Sequence, residues 1–78
     1  MSESAVIRRC LDLCEIGFTA RSAAHYREIA VALEPYRSDK RIVAAIRLAQ
    51  GGASLASPRF AYPHIASQLR ERLREIAA

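Results

Sequence analysis

Residues 24–52 constrain this chain more than any other stretch, because they allow little except a helical hairpin. Tyr26, Ile29, Ala30 and Leu33 recur at i, i+3, i+4 and i+7, the spacing of one face of an α-helix. After a break at Glu34-Pro35-Tyr36-Arg37-Ser38 the same rhythm returns in Ile42, Ala45, Ile46 and Ala49, with Val43 and Leu48 widening the face. Pro35 pushes the residue before it out of helical geometry and ends the first helix. Ser38 is an N-cap for the second, with Asp39 at its positive end.

The flanking segments read as packing for this hairpin. Residues 5–16 carry Val6, Ile7, Cys10, Leu11, Leu13 and Cys14 on a broad apolar face, with Ser4 as N-cap and Gly17 as the terminating residue. Thr19, preceded by Phe18, caps a second helix over residues 20–33. The third helix covers residues 39–50, and Gly51-Gly52 is the strongest break in the chain. Residues 53–62 hold few β-branched residues and are interrupted by Pro58, which argues against strands. Ser57-Pro58 can open one helical turn, and Phe60 is expected to be buried. Pro63 suits the first position of a fourth helix reaching about residue 76. Its stripe, Ile65, Leu69, Leu73 and Ile76, is narrow enough to serve as a homodimer seam. The expected fold is all-α, a compact bundle of about four short helices in one small domain over residues 1–78. A faint internal echo between residues 21–26 and residues 59–65, with one insertion, reads as chance unless the two halves superpose.

A chain of 78 residues has a marginal core and little room for a pocket of ordinary ligand size. No run approaches the roughly 20 apolar residues of a membrane-spanning helix, and residues 1–4 lack the basic start of a signal peptide. The expectation is a cytoplasmic protein without membrane contact. The net charge of +4 comes almost wholly from arginine, with Lys40 the single lysine. It concentrates in residues 21–50, which carry +3, without forming a polybasic block.

Specific chemistry is sparse. Cys10 and Cys14 lie one helical turn apart, and with His25 and His64 they make a nominal Cys2His2 set. Structural zinc sites place two residues between their cysteines in a turn, not three on a helix. Among Ile7, Leu11 and Leu13 the two thiols read as buried small hydrophobes, so neither a metal nor an internal disulfide is expected. His25 reads as a boundary histidine rather than a phosphoacceptor, and His64 as a helix-start residue. No carboxylates converge in sequence, and Gly51-Gly52 lacks the Lys-Ser/Thr of a phosphate loop. No catalytic residue and no cofactor are expected.

The expected function is therefore non-enzymatic: a regulator, adaptor or inhibitor that binds a larger protein. Tyr36, Arg37, Phe60 and Tyr62 lie in the two breaks and are the candidate partner-binding residues, of the types that anchor interfaces. The alternative is nucleic-acid binding. Residues 28–33, the break, and residues 38–43 resemble the rhythm of a helix-turn-helix, which would turn Lys40, Arg41 and Arg47 towards a groove. The longer turn at Glu34-Pro35 and the outward Ala44 and Leu48 depart from that pattern.

Overall fold

A computed structural model describes residues 2–54 and 57–77. The fold is all-α, a compact bundle of four helices: α1 (Glu3–Ala20), α2 (Tyr26–Leu33), α3 (Lys40–Gly52) and α4 (Ala61–Ala77), with a 3-10 turn over Glu34–Tyr36. One core of Ile7, Cys10, Ile29, Leu33, Ile42, Ala45, Ile65 and Leu69 joins all four. Helices α1 and α4 run antiparallel, with Glu3 beside Arg72 at one end and Gly17 beside Tyr62 at the other.

Several helix ends fall elsewhere than local signals place them. Ser2, not Ser4, caps α1 by accepting the Ala5 amide at 3.2 Å. Helix α1 then runs straight through Gly17 and Thr19, so α2 starts at Tyr26 instead of residue 20. The true terminator is Arg21, in the left-handed region at φ 53°. The Ser22 amide donates to the Gly17 carbonyl at 3.1 Å, and the Arg21 amide to the Phe18 carbonyl at 3.3 Å, which is a Schellman end. Asp39 rather than Ser38 caps α3, its carboxylate accepting the amides of Arg41 at 2.8 Å and Ile42 at 3.3 Å. Gly51 and Gly52 continue α3 instead of breaking it, and α4 opens at Ala61, ahead of Pro63. The missing amide of Pro63 costs nothing there, because the first four amides of a helix have no partner within it.

Glycine at 17 and 52 serves close approach. Two tyrosines stack at the loop end of the bundle, Tyr26 on Tyr62, with ring centroids 4.0 Å apart and planes 12° from parallel. A Cβ at Gly52 would stand 2.7 Å from the Tyr26 ring, and one at Gly17 would overlap the phenol end of Tyr62 at Cζ. The phenols reach on to the opposite loops: Tyr26 donates to the Pro58 carbonyl and Tyr62 to the Ser22 carbonyl, each at 2.5 Å.

These contacts are reciprocal. Gly17 and Gly52 are 35 residues apart, and Tyr26 and Tyr62 are 36 apart, as are Ser22 and Pro58. Each tyrosine packs on the glycine of the other half and bonds the carbonyl four positions before the other tyrosine. Buried Ile7, Ile29 and Leu33 have buried counterparts in Ile42, Ile65 and Leu69. Cys14, Glu15, Phe18, Tyr62, Pro63 and Ala66 of one depression correspond to Ala49, Gln50, Ala53, Tyr26, Arg27 and Ala30 of another, while Leu11, Asp12 and Arg70 line only the first and Ala23 only the second. The two helix–loop–helix halves therefore meet as the subunits of an isologous dimer do, within one chain. The echo of residues 21–26 in residues 59–65 is not the register of these contacts, which set Tyr26 against Tyr62 and Ser22 against Pro58.

The proposed dimer seam is used up inside the chain. Ile65 and Leu69 are fully buried, and Leu73 and Ile76 are partly buried against the same core. The stripe faces the chain's own core, where α4 packs against α1 and α3. Among the described residues no helix is long and apolar enough to cross a membrane.

Candidate functional site

An apolar groove of about 770 Å³ lies between the last turns of α3 and the first turn of α4. Arg47, Leu48 and Gly51 form one bank, and Ser57, Phe60, Ala61 and His64 form the other. Its size falls within the range of ordinary ligand pockets, roughly 300–1,000 Å³. A chain this short accommodates it by leaving it open on the outside, rather than by hollowing its core.

Gly51 makes the groove. A Cβ built there meets nothing within 4 Å. The counterpart of Gly51 in the first half is Ile16, which stands 50% exposed where the second half leaves space. The counterpart of Phe60 is the small Ala24. Two differences between the halves thus combine, one opening the floor and the other raising an aromatic wall. Phe60 is 59% exposed, against the expectation of burial, because its neighbours Ala61 and Tyr62 take the inward positions. Phe18 is different: the Arg59 guanidinium lies over its ring, 4.8 Å from the centroid. Arg47 and His64 are exposed on the groove's rim, and no carboxylate lines it.

The remaining candidate residues do not gather here. Tyr62 is 1% exposed and stacked on Tyr26, so it is a core residue and presents no surface to a partner. Tyr36 is half-buried against the core, and Arg37 pairs with Glu34 at 2.6 Å. Both lie beyond the opposite end of α3, about 20 Å from the groove at 1.5 Å per residue. Lys40 and Arg47 are exposed. Arg41 is not free to enter a nucleic-acid groove, because Asp39 and Glu75 both hold its guanidinium.

Arg41 belongs to an ionic cluster that ties three helix ends together. Arg72 donates to Glu3 at 2.6 Å and to Glu75 at 2.7 Å, and lies 3.4 Å from Asp39. Burial pushes the Asp39 carboxyl up, but the amides of Arg41 and Ile42 and the Arg41 guanidinium outweigh it and hold the group below its ordinary 3.8. Glu75 is held below its ordinary 4.5, first by the hydrogen bond from Arg41. A carboxylate with a lower pKa in the folded chain contributes stability that is complete above its unfolded value and is lost as pH falls through its folded value. The thermal midpoint is therefore expected to hold down to pH 4.5 and to decline below it. The combined Asp39→Asn and Glu75→Gln variant should show a shallower decline when melting is followed by circular dichroism across that range.

Cys10 and Cys14 are buried free thiols. Burial pushes Cys10 up to about 11 and Cys14 up to about 12, which keeps both protonated and poor as nucleophiles or metal ligands. Among the described residues no group of three His, Cys, Asp or Glu stands close enough to hold a metal ion. His25 is half-buried at the start of α2, and His64 stands on the groove rim.

Sequence reasoning missed Leu48 and Gly51 as site residues. The one available signal was the pair of adjacent glycines, which reads as punctuation when the facing residues are out of view. The chain matches no known protein family, no curated protein and no solved structure.

Proposed function

We propose that the chain is a non-catalytic interaction module that docks a larger protein partner through the α3–α4 groove. The observation that carries this reading is the groove itself: apolar banks of Leu48, Phe60 and Ala61, opened by Gly51, with one aromatic left standing in solvent. An exposed aromatic beside an apolar hollow is the arrangement that anchors interfaces, because both the ring and the hollow shed water on contact. Nucleic-acid binding through α3 is the weaker reading. It keeps Lys40 and Arg47 as exposed cations and loses Arg41 to the ionic cluster.

The test is site-specific photo-crosslinking in the native cell. A photoreactive phenylalanine at position 60 is expected to give a discrete protein adduct, and one at Val31, 66% exposed on α2, is not. Gly51→Ile restores the side chain found at the equivalent position of the other half, fills the groove, and should abolish the adduct while leaving the helical circular dichroism unchanged. Equal adducts at positions 31 and 60, or an adduct that survives Gly51→Ile, would overturn the reading. Adduct formation with nucleic acid instead of protein would promote the alternative.

A further inference from the structure

Residues 40–70 hold Lys40, Arg41, Arg47, Arg59 and Arg70 and no aspartate or glutamate. This one stretch supplies α3, the connection that follows and the first half of α4, and with them both banks of the groove. The acidic groups of the chain are placed elsewhere. Arg9 holds Glu28, Arg37 holds Glu34, and Arg41 and Arg72 hold Glu3, Asp39 and Glu75. Asp12 and Glu15 line the depression on the α1 side of α4. The carboxylates that bound the stretch are Asp39, two turns before Arg47, and Glu71, two turns beyond His64. Each is roughly 10–12 Å away along its helix at 1.5 Å per residue. Among the described residues Arg47 makes no ion pair.

The two banks of the groove match in spacing. Arg47, Leu48 and Gly51 stand at i, i+1 and i+4, and so do Phe60, Ala61 and His64. Each bank is about one helical turn long. Helices α3 and α4 run antiparallel, since Arg41 near the start of α3 meets Glu75 near the end of α4. Residue order is therefore opposite on the two banks. Gly51 and Phe60 stand at the end next to the connection, and Arg47 and His64 at the end away from it. The first half carries Ile16 at the position of Gly51, so the space over Gly51 suits an aliphatic side chain of that size.

From this we infer that the groove receives an acidic amphipathic helix of the partner. One aliphatic side chain sits over Gly51 against Leu48 and Phe60, and a carboxylate one turn along faces Arg47 and His64. The inference rests on the docking reading of the groove and adds the chemistry of what docks. A helix laid in a groove uses anchors at i and i+4, which is the length of these banks. Guanidinium donates strongly to carboxylate, and imidazole has an N–H to donate in its neutral and its protonated forms. A basic helix would meet only like charge on both banks. The net charge of +4 favours encounter with an acidic partner over a basic one.

The experiment measures binding of the full chain to three labelled peptides by fluorescence anisotropy at low salt. Each has about 16 residues on an alanine background, long enough to hold a helix. The first carries leucine and glutamate four residues apart, the second has lysine for glutamate, and the third has alanine for leucine. Saturable binding of the first is expected, about fivefold or more tighter than the second. Loss of the leucine should weaken binding about tenfold or more. Gly51→Ile should abolish binding, and Arg47→Glu should turn the preference towards the lysine peptide. Lysine and glutamate peptides that bind equally, or binding that survives Gly51→Ile, would overturn the inference. Two further outcomes would do the same by giving the groove to another occupant: binding of sodium dodecanoate without the peptides, and self-association of the chain that Gly51→Ile abolishes. Absence of peptide binding, with the protein adduct at position 60 intact, removes the acidic helix and leaves the docking groove. Absence of that adduct removes the docking groove and the acidic helix together.

Discussion

Gly17→Ala is expected to destabilise the folded chain by about 1–3 kcal/mol, the usual cost of forcing an extra methyl into a packed core. The sign runs against helix propensity. Gly17 lies inside α1, where alanine is the better helix former by roughly 0.5–1 kcal/mol. The steric term wins because the new methyl would overlap the phenol end of Tyr62, and that ring is fixed by its stack on Tyr26 and its hydrogen bond to Ser22. Chemical denaturation of three variants separates the two effects. Gly51→Ala meets open space, so only propensity acts, and a gain of up to about 1 kcal/mol is expected. In a Tyr62→Leu background the ring is gone, and Gly17→Ala should become neutral or stabilising. A Gly17→Ala penalty that persists in that background would show that the ring is not its cause.

Tyr62→Ala is expected to cost about 3–5 kcal/mol, the range for deleting a buried aromatic ring. Small domains have only about 5–15 kcal/mol in total, so this variant should be barely folded at 25 °C, with a low denaturation midpoint and weakened near-ultraviolet circular dichroism. Three losses coincide: the stack on Tyr26, the cover over Gly17, and the bond that holds the α1–α2 loop at Ser22. Tyr62→Phe keeps the first two and should cost only about 1 kcal/mol, the net worth of one hydrogen bond. Equal losses in the alanine and phenylalanine variants would place the whole effect on the hydroxyl. Gross denaturation of both would be the signature of a loop that cannot close without Tyr62.

Helix number and most inward faces are legible from the sequence. Tyr26, Ile29 and Leu33, then Ile42, Ala45, Ile46 and Ala49, then Ile65 and Leu69 all read inward by period and are buried. What local reading misses is set by residues far along the chain. A glycine required for a left-handed turn and one required by a facing ring look alike in sequence, and the ring facing Gly17 belongs to Tyr62. The real left-handed residue, Arg21, carries no glycine signal at all. Of Phe60 and Tyr62, two positions apart and both read in a break, only the register of α4 decides which goes inside. Arg41 looks available until Glu75, on another helix, is seen to hold it. The α3–α4 groove is the extreme case, since it arises from a missing side chain at Gly51 and becomes visible only beside Ile16, its counterpart.

The exchange of tyrosines between the halves has a consequence for how the molecule comes apart. Each tyrosine is rooted in one half, while its groove and its hydroxyl acceptor belong to the other. Opening either connecting loop frees the phenol of the opposite half, and loss of that phenol uncovers the glycine of the helix leading into the loop. Neither half can loosen first and wait for its neighbour. The bundle is a clasp with two interlocked catches, and cooperative, all-or-none unfolding follows from where two side chains cross.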